Sequence, residues 1–206
     1  MFKVFSKCTL AALVVTSSCA SADQIRKLDS SIWQLQWSDE FNYADSELDK
    51  NWISQNGPTE NPWVLSSRWR ENAQVEGGVL HLLAKKESRG GQEWTTGNVW
   101  SKRSFHYGYF EARFKYAGAY GTNNSFWFWP KQGVTGGLKA CEIDVNEGHF
   151  PNIINTNVHN WTDTYTLPNG RVTHSDNQLH HTLIGKPDHT QVFKKPIKSK
   201  KIRLTS

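Results

Sequence analysis

Apolar and polar residues alternate along most of the chain with a period of two, and that period predicts β-strands. "IWQLQWSDEFNY" (32–43), "NPWVLSSRW" (61–69) and "ENAQVEGGVLHLLAKKE" (71–87) carry the alternation. In the last of these, Gly77-Gly78 predicts a tight turn between two strands. "GNVWSKRSFHYGYFEARFKYA" (97–117) reads as two strands joined near His106 to Gly108, and "NNSFWFWP" (123–130) as a short aromatic strand stopped by Pro130. "ACEIDVNEG" (140–148) and "NIINTNVHNW" (152–161) follow. No segment of the body has helical periodicity. Short strands at close spacing, punctuated by Gly and Asn, predict an all-β antiparallel sandwich or barrel.

The strand at 140–148 breaks the pattern in an informative way. "EIDVNE" places three carboxylates, Glu142, Asp144 and Glu147, within six residues. Side chains alternate faces along a strand, so Glu142 and Asp144 share a face and Glu147 would point into the core. A lone buried carboxylate is costly. One β-bulge at Val145-Asn146 adds a residue and returns Glu147 to the face of the other two. The longer second gap is therefore a register correction, and it makes sense only if all three carboxylates serve one place.

Grouped carboxylates raise one another's pKa, so one can hold a proton near neutral pH while another is ionised. Glycoside hydrolysis needs that equipment: one carboxylate attacks the sugar and the other protonates the leaving oxygen. On the residues alone, two other readings stay open: a calcium site and a merely solvated acidic face. Cys141, beside Glu142, should face away from it by strand parity and reads as a packed apolar residue rather than a nucleophile.

Composition bounds the rest. The chain has 206 residues, enough for one domain, with 10 Trp and an aromatic share of 13%. Its formal charge of +5 misleads, because residues 23–182 hold 15 Lys and Arg against 18 Asp and Glu. The basic excess lies in the two ends, so nothing points to a nucleic-acid groove. Residues 1–22 read as a signal peptide: Lys3 and Lys7 open it, an apolar run from Thr9 to Thr16 follows, and "ASA" offers cleavage after Ala22. The run is too short to span a bilayer. The expected location is extracellular or periplasmic, with a lipid anchor on Cys19 as the alternative. Cleavage would remove Cys8 and Cys19 and leave Cys141 alone, with no intramolecular disulfide.

Several ordered segments resemble glycoside hydrolase family sixteen, the family of laminarinases, agarases, porphyranases and κ-carrageenases. "EIDVNE" resembles its E-x-D-x-x-E motif in the bulged form, and "WSDEFN" its opening strand. "RWRENAQVEGGVLHLLAKKE", "WTTGNVWSKRSFHYGYFEARFKY" and "NNSFWFWP" resemble the segments between them. The resemblance implies a β-jelly roll of two curved antiparallel sheets with a concave cleft, and endo-cleavage of a polysaccharide with retained anomeric configuration. It makes Glu142 the nucleophile, Glu147 the general acid/base, and Asp144 the residue that tunes the nucleophile.

Carried over by position, Trp69, Trp94, Trp127, Trp129 and Trp161 are candidates to stack on sugar faces, with core packing as the competing role for each. Trp127 and Trp129 share a face by alternation. His159 is a candidate substrate ligand, as are Arg70 and Asn72, with structural roles as the alternatives. Lys102, Arg103 and Arg113 are candidate sulfate contacts by composition only. The expected substrate is a marine red-algal galactan of agar, porphyran or carrageenan type. The alternatives are laminarin, a non-catalytic carbohydrate-binding module and an inactive fragment. No cofactor is expected beyond a structural calcium ion, and the chain is expected to act as a monomer. The family pattern stops near "DNQLHHT" (176–182), so residues 23–182 are read as a jelly roll lacking its last strands and 183–206 as an unrelated basic tail.

Overall fold

The computed structural model describes residues 2–7, 29–59, 64–130, 140–182 and 190–192. The apolar run of the leader, Cys8, Cys19, the cleavage site and most of the basic tail lie outside the described residues. The strands in chain order are β1 (Phe2–Lys7), β2 (Trp33–Asp39), β3 (Trp52–Ser54), β4 (Ser66–Arg68), β5 (Ala73–Glu76), β6 (Val79–Leu82), β7 (Ala84–Arg89) and β8 (Gln92–Thr96). They continue with β9 (Val99–Ser101), β10 (Tyr109–Lys115), β11 (Asn124–Phe128), β12 (Cys141–His149), β13 (Ile153–Thr166), β14 (Val172–Asp176), β15 (Leu179–Thr182) and β16 (Thr190–Val192). The α-helix among the described residues, α1 (Leu48–Asn51), is a single turn, too short to leave a periodic trace in the sequence. No helix among the described residues is long and apolar enough to cross a membrane.

The chain divides into two compact units. The first, 39–104, holds three small sheets: β3-β9, β4-β8-β7 and β5-β6. Gly77 and Gly78 join β5 to β6 with φ of 58° and 75°, the positive values a two-residue hairpin turn of the primed type needs. Leu48, Trp52, Phe41 and Val75 are buried. The buried carboxylate of Asp39 gathers the Phe41 N–H, the Tyr43 hydroxyl and the Trp52 indole N–H, which explains the polar residue inside "WSDEFN".

The second unit, 2–38 with 105–206, holds two larger sheets. One runs β16-β10-β1-β2; the other runs β11-β12-β13-β14, with β15 also paired to β13. They pack face to face through aromatic rings. Phe110 of β10 meets Phe128 of β11 edge to face at 4.7 Å, and Phe2 of β1 meets Phe126 at 5.5 Å. This is the antiparallel sandwich that the period-two pattern predicts.

Two features depart from the sequence reading. The segments around His106 to Gly108 do not form one hairpin: β9 pairs with β3, whereas β10 pairs with β1 and β16. Residues 2–7, read as the charged start of a leader, form a strand in register with β10, Phe2 opposite Ala112 and Val4 opposite Phe110. Val4 is buried, and the ring of Phe2 also packs on Trp37. Phe2 and Val4 alternate with Lys3, so the segment satisfies a strand pattern as well as a leader composition.

Candidate active site

β12 contains the bulge. Against β11, Ser125 pairs with Glu147, Phe126 with Asn146, and Trp127 with Asp144, so Val145 is the extra residue. Against β13, Glu142 pairs with His159, Asp144 with Asn157, and Glu147 with Asn155. Each carboxylate thus faces a partner at alternate positions of both neighbouring strands. Glu142, Asp144 and Glu147 share one face, together with Trp127, Asn157 and His159.

The opposite face shows what holds the bulge. Asn146, fully buried, points inward, donates to the Asn124 carbonyl at 2.6 Å and accepts from the Tyr116 hydroxyl. The Tyr116 ring lies directly over Gly148, where an added Cβ would come within 2.8 Å of it. Gly148→Ala is therefore expected to push Tyr116 off Asn146 and cost about 1–3 kcal/mol of overpacking. A chemical-denaturation midpoint checks it, with reduced turnover as the accompanying sign.

The carboxylates are electrically coupled. Burial pushes the Glu142 carboxyl up to about 7, helped by the charge of Asp144, a hydrogen bond shared with Asp144, and the charge of Glu147. The Trp161 indole N–H opposes this by donating to Glu142 Oε2 at 2.7 Å. Asp144 is 5% exposed, and burial together with the Glu147 charge raises its pKa too. His159 Nε2 lies 3.0 Å from Asp144 Oδ2 and counters the rise. Asn123 donates to Glu147 Oε1 at 2.8 Å. Burial and the nearby Glu142 charge raise the Cys141 thiol, which keeps it protonated and unfit as a nucleophile.

An aromatic wall runs beside the carboxylates. Trp127 and Trp129, 38% and 42% exposed, meet edge to face at 5.8 Å. Trp129 meets Trp161 the same way at 5.9 Å. Trp161 stacks on His174 at 3.7 Å, and His159 lies 5.4 Å from Trp161. Trp127, Trp129, His159 and Trp161 are thus brought together with the acidic triplet, and two of the tryptophans remain open enough to receive a sugar face.

Four candidates belong to the first unit. Trp94 is exposed there. Trp69 donates to Ser67 Oγ, and the Arg89 guanidinium covers its ring at 3.6 Å, so one face is already occupied. Arg70 and Asn72 need correction as sugar ligands. Arg70 is clamped between the carboxylates of Asp45 and Asp49 and also donates to the Ala73 carbonyl. Asn72 is fully buried and donates to Thr95 Oγ1 at 2.9 Å, with its backbone against Gly97. Both hold the unit together. Lys102, a candidate sulfate contact, donates to the Asp49 carbonyl.

Among the described residues, the group of three donors close enough for a metal ion is Glu142, Asp144 and His159, with ligand atoms within 4.8 Å of one another. Calcium takes six to eight oxygens. Two carboxylates and an imidazole already bonded to one another do not fit a structural calcium ion.

Residues that reasoning from sequence missed are Asn123, Asn157 and His174. Asn123 and His174 sit on face-sharing positions of their strands or strand ends. That parity was legible, but which strand would lie beside which was not.

The family model for glycosyl hydrolases family 16 matches residues 63–185. The chain is 31% identical over 158 residues to a beta-glucanase of Rhodothermus marinus, covering 71% of this chain and 55% of that one. It is 35% identical over 137 residues to a kappa-carrageenase of Pseudoalteromonas carrageenovora, covering 56% of this chain and 32% of that one. The crystal structure of the laminarinase from Rhodothermus marinus superposes with a TM-score of 0.58 at 26% identity, covering 78% of this chain and 66% of that one. The chain thus spans about half the length of the beta-glucanase and about a third of the kappa-carrageenase.

Proposed function

The chain belongs to glycosyl hydrolases family 16, and we propose that it is an endo-acting β-glycosidase that cuts a polysaccharide with retention of configuration. The observation that carries this reading is the bulge at Val145, which sets Glu142, Asp144 and Glu147 on one face beside Trp127. Glu142, once ionised, attacks the anomeric carbon while Glu147 protonates the departing glycosidic oxygen. Glu147 then takes a proton from water, which releases the sugar from Glu142. Asp144 shares a hydrogen bond with Glu142 and raises its pKa, so it governs when the nucleophile is charged.

That assignment has a pH consequence. Glu142 is idle when protonated, so kcat/KM should fall as pH drops through about 7. Asp144→Asn removes a negative charge beside it and should move this acid limb to lower pH by on the order of 1 unit, with kcat reduced. A pH-rate profile of both proteins checks it; a limb that stays put or moves to higher pH would contradict the role given to Asp144.

The substrate we favour is a red-algal galactan of agar, porphyran or carrageenan type. His159, held against Asp144 on the strand after the acidic triplet, and the similarity to a kappa-carrageenase support it. Similarity to a beta-glucanase and to a laminarinase supports β-1,3-glucan as the second reading. Reducing-end release from agarose, carrageenan and laminarin separates the two, and binding without release from any of them overturns the hydrolase. We further propose export of a monomer with cleavage after Ala22, or lipidation at Cys19. Intact mass of the exported protein reads the new N-terminus, Asp23 being expected for simple cleavage.

A further inference from the structure

His174 lies on β14, a strand that carries none of the acidic triplet, yet it touches the side chains that hold two of its members. Its Nε2 is 2.7 Å from His159 Nδ1, and His159 Nε2 is 3.0 Å from Asp144 Oδ2. Its ring stacks on Trp161, whose indole N–H donates to Glu142 Oε2.

The contact depends on an irregularity in β13. Regular pairing sets Asp176 opposite His159 and Ser175 opposite Asn160, but the next pair is Thr164 with His174. Three residues, 161–163, are therefore looped out of register, and Trp161 is the one that folds over the His174 ring. Burial and the neighbouring His159 lower the pKa of His174, against the charge of Asp176, which favours the neutral ring.

Hydrogen-bond accounting shows what a neutral ring does there. Asn157 Oδ1 accepts from the Val158 and Asn177 backbone N–H groups, so its NH2 must face His159 Nε2, at 3.0 Å. When Asp144 carries a proton it donates to His159 Nε2, and His159 Nδ1–H donates to His174. When Asp144 is ionised, His159 Nε2–H must turn to it in place of the bond from the Asn157 NH2, and His159 Nδ1 needs a donor from His174. Only a side chain that can both donate and accept at that position serves both states.

We propose that His174 is a positioning residue that sets the tautomer and orientation of His159 and the plane of Trp161, and through them the placement of Asp144 and Glu142. This rests on the hydrolase reading above. The test compares His174→Phe, which keeps a ring on Trp161 but can neither donate nor accept, with His174→Gln, which can do both at the Nε2 position. His174→Phe should lower kcat about 10-fold or more with KM changed less than about 2-fold, and His174→Gln should recover most of the loss. Nitrogen-15 NMR of His159 should show its two ring nitrogens shifted in the Phe variant and near wild type in the Gln variant. Wild-type kcat in His174→Phe, or equal loss in both variants with unshifted His159 nitrogens, overturns the proposal. Should the Phe variant not fold, His174→Met, which also lacks both ring nitrogens, takes its place. If the wild type itself releases no reducing ends, the hydrolase reading fails, and the NMR comparison alone decides the link from His174 to His159.

Discussion

Insertion of one alanine between Asn146 and Glu147 should abolish turnover and destabilise the protein by about 3 kcal/mol or more. The bulge absorbs one extra residue, Val145, and a second one before Glu147 reverses the face of everything beyond it. Glu147 would then turn toward the side where Asn146 meets Tyr116 and the Asn124 carbonyl, placing there a carboxylate with no partner designed for it. Deletion of Val145 is the converse test: regular alternation then keeps Glu142, Asp144 and Glu147 on one face, so it should be the milder change. Reducing-end assays and a denaturant titration read both effects. Val145→Ala is the control, because it keeps the residue count and should retain activity. Full activity in the insertion variant would mean that Glu147 acts from elsewhere or not at all.

The second large effect separates the two glutamates by the stereochemistry of what they leave undone. Glu142→Gly should cut turnover by about 10,000-fold or more, because no covalent intermediate can form. With an activated substrate, added azide can enter the vacated side and give a product of inverted configuration. Glu147→Ala should lose about 100- to 10,000-fold on natural polysaccharide. It should lose far less on a substrate whose leaving group needs no proton, and azide should then give a product of retained configuration. Product stereochemistry by proton NMR decides the assignment, and exchanged outcomes would exchange the roles of Glu142 and Glu147. Glu142→Gln carries a stability consequence too. A carboxyl whose pKa is raised to about 7 costs folding stability when ionised, a cost absent at low pH and fully present above 7. The Gln variant should therefore gain thermal stability over wild type at pH 8 and show little difference at pH 4.

These predictions begin from features that a single sequence displays to different degrees. The bulge was legible because the alternative, Glu147 in the core, is physically expensive, and one inserted residue is the minimal repair. The shared face of Trp127 and Trp129 was legible because parity within one strand needs no knowledge of its neighbours. Arg70 and Asn72 were misread because position along a chain does not reveal burial. Both side chains are polar and both lie in the right segment, yet the first is consumed by Asp45 and Asp49 and the second by Thr95. His174 escaped because its importance arises from a three-residue irregularity in a different strand, β13, and nothing in "RVTHSD" announces which rings will lie across from it. The role of Phe2–Lys7 escaped for another reason: two physical descriptions, a basic leader start and an alternating strand, fit the same six residues.

That hexapeptide has a consequence for what processing leaves behind. β1 lies between β10 and β2, and its Phe2 ring packs on Phe126 and Trp37. Cleavage after Ala22 would lift the middle strand out of that sheet and bare the backbone edges of β10 and β2 together with those two rings, so the precursor and the released protein would differ behind the catalytic strands.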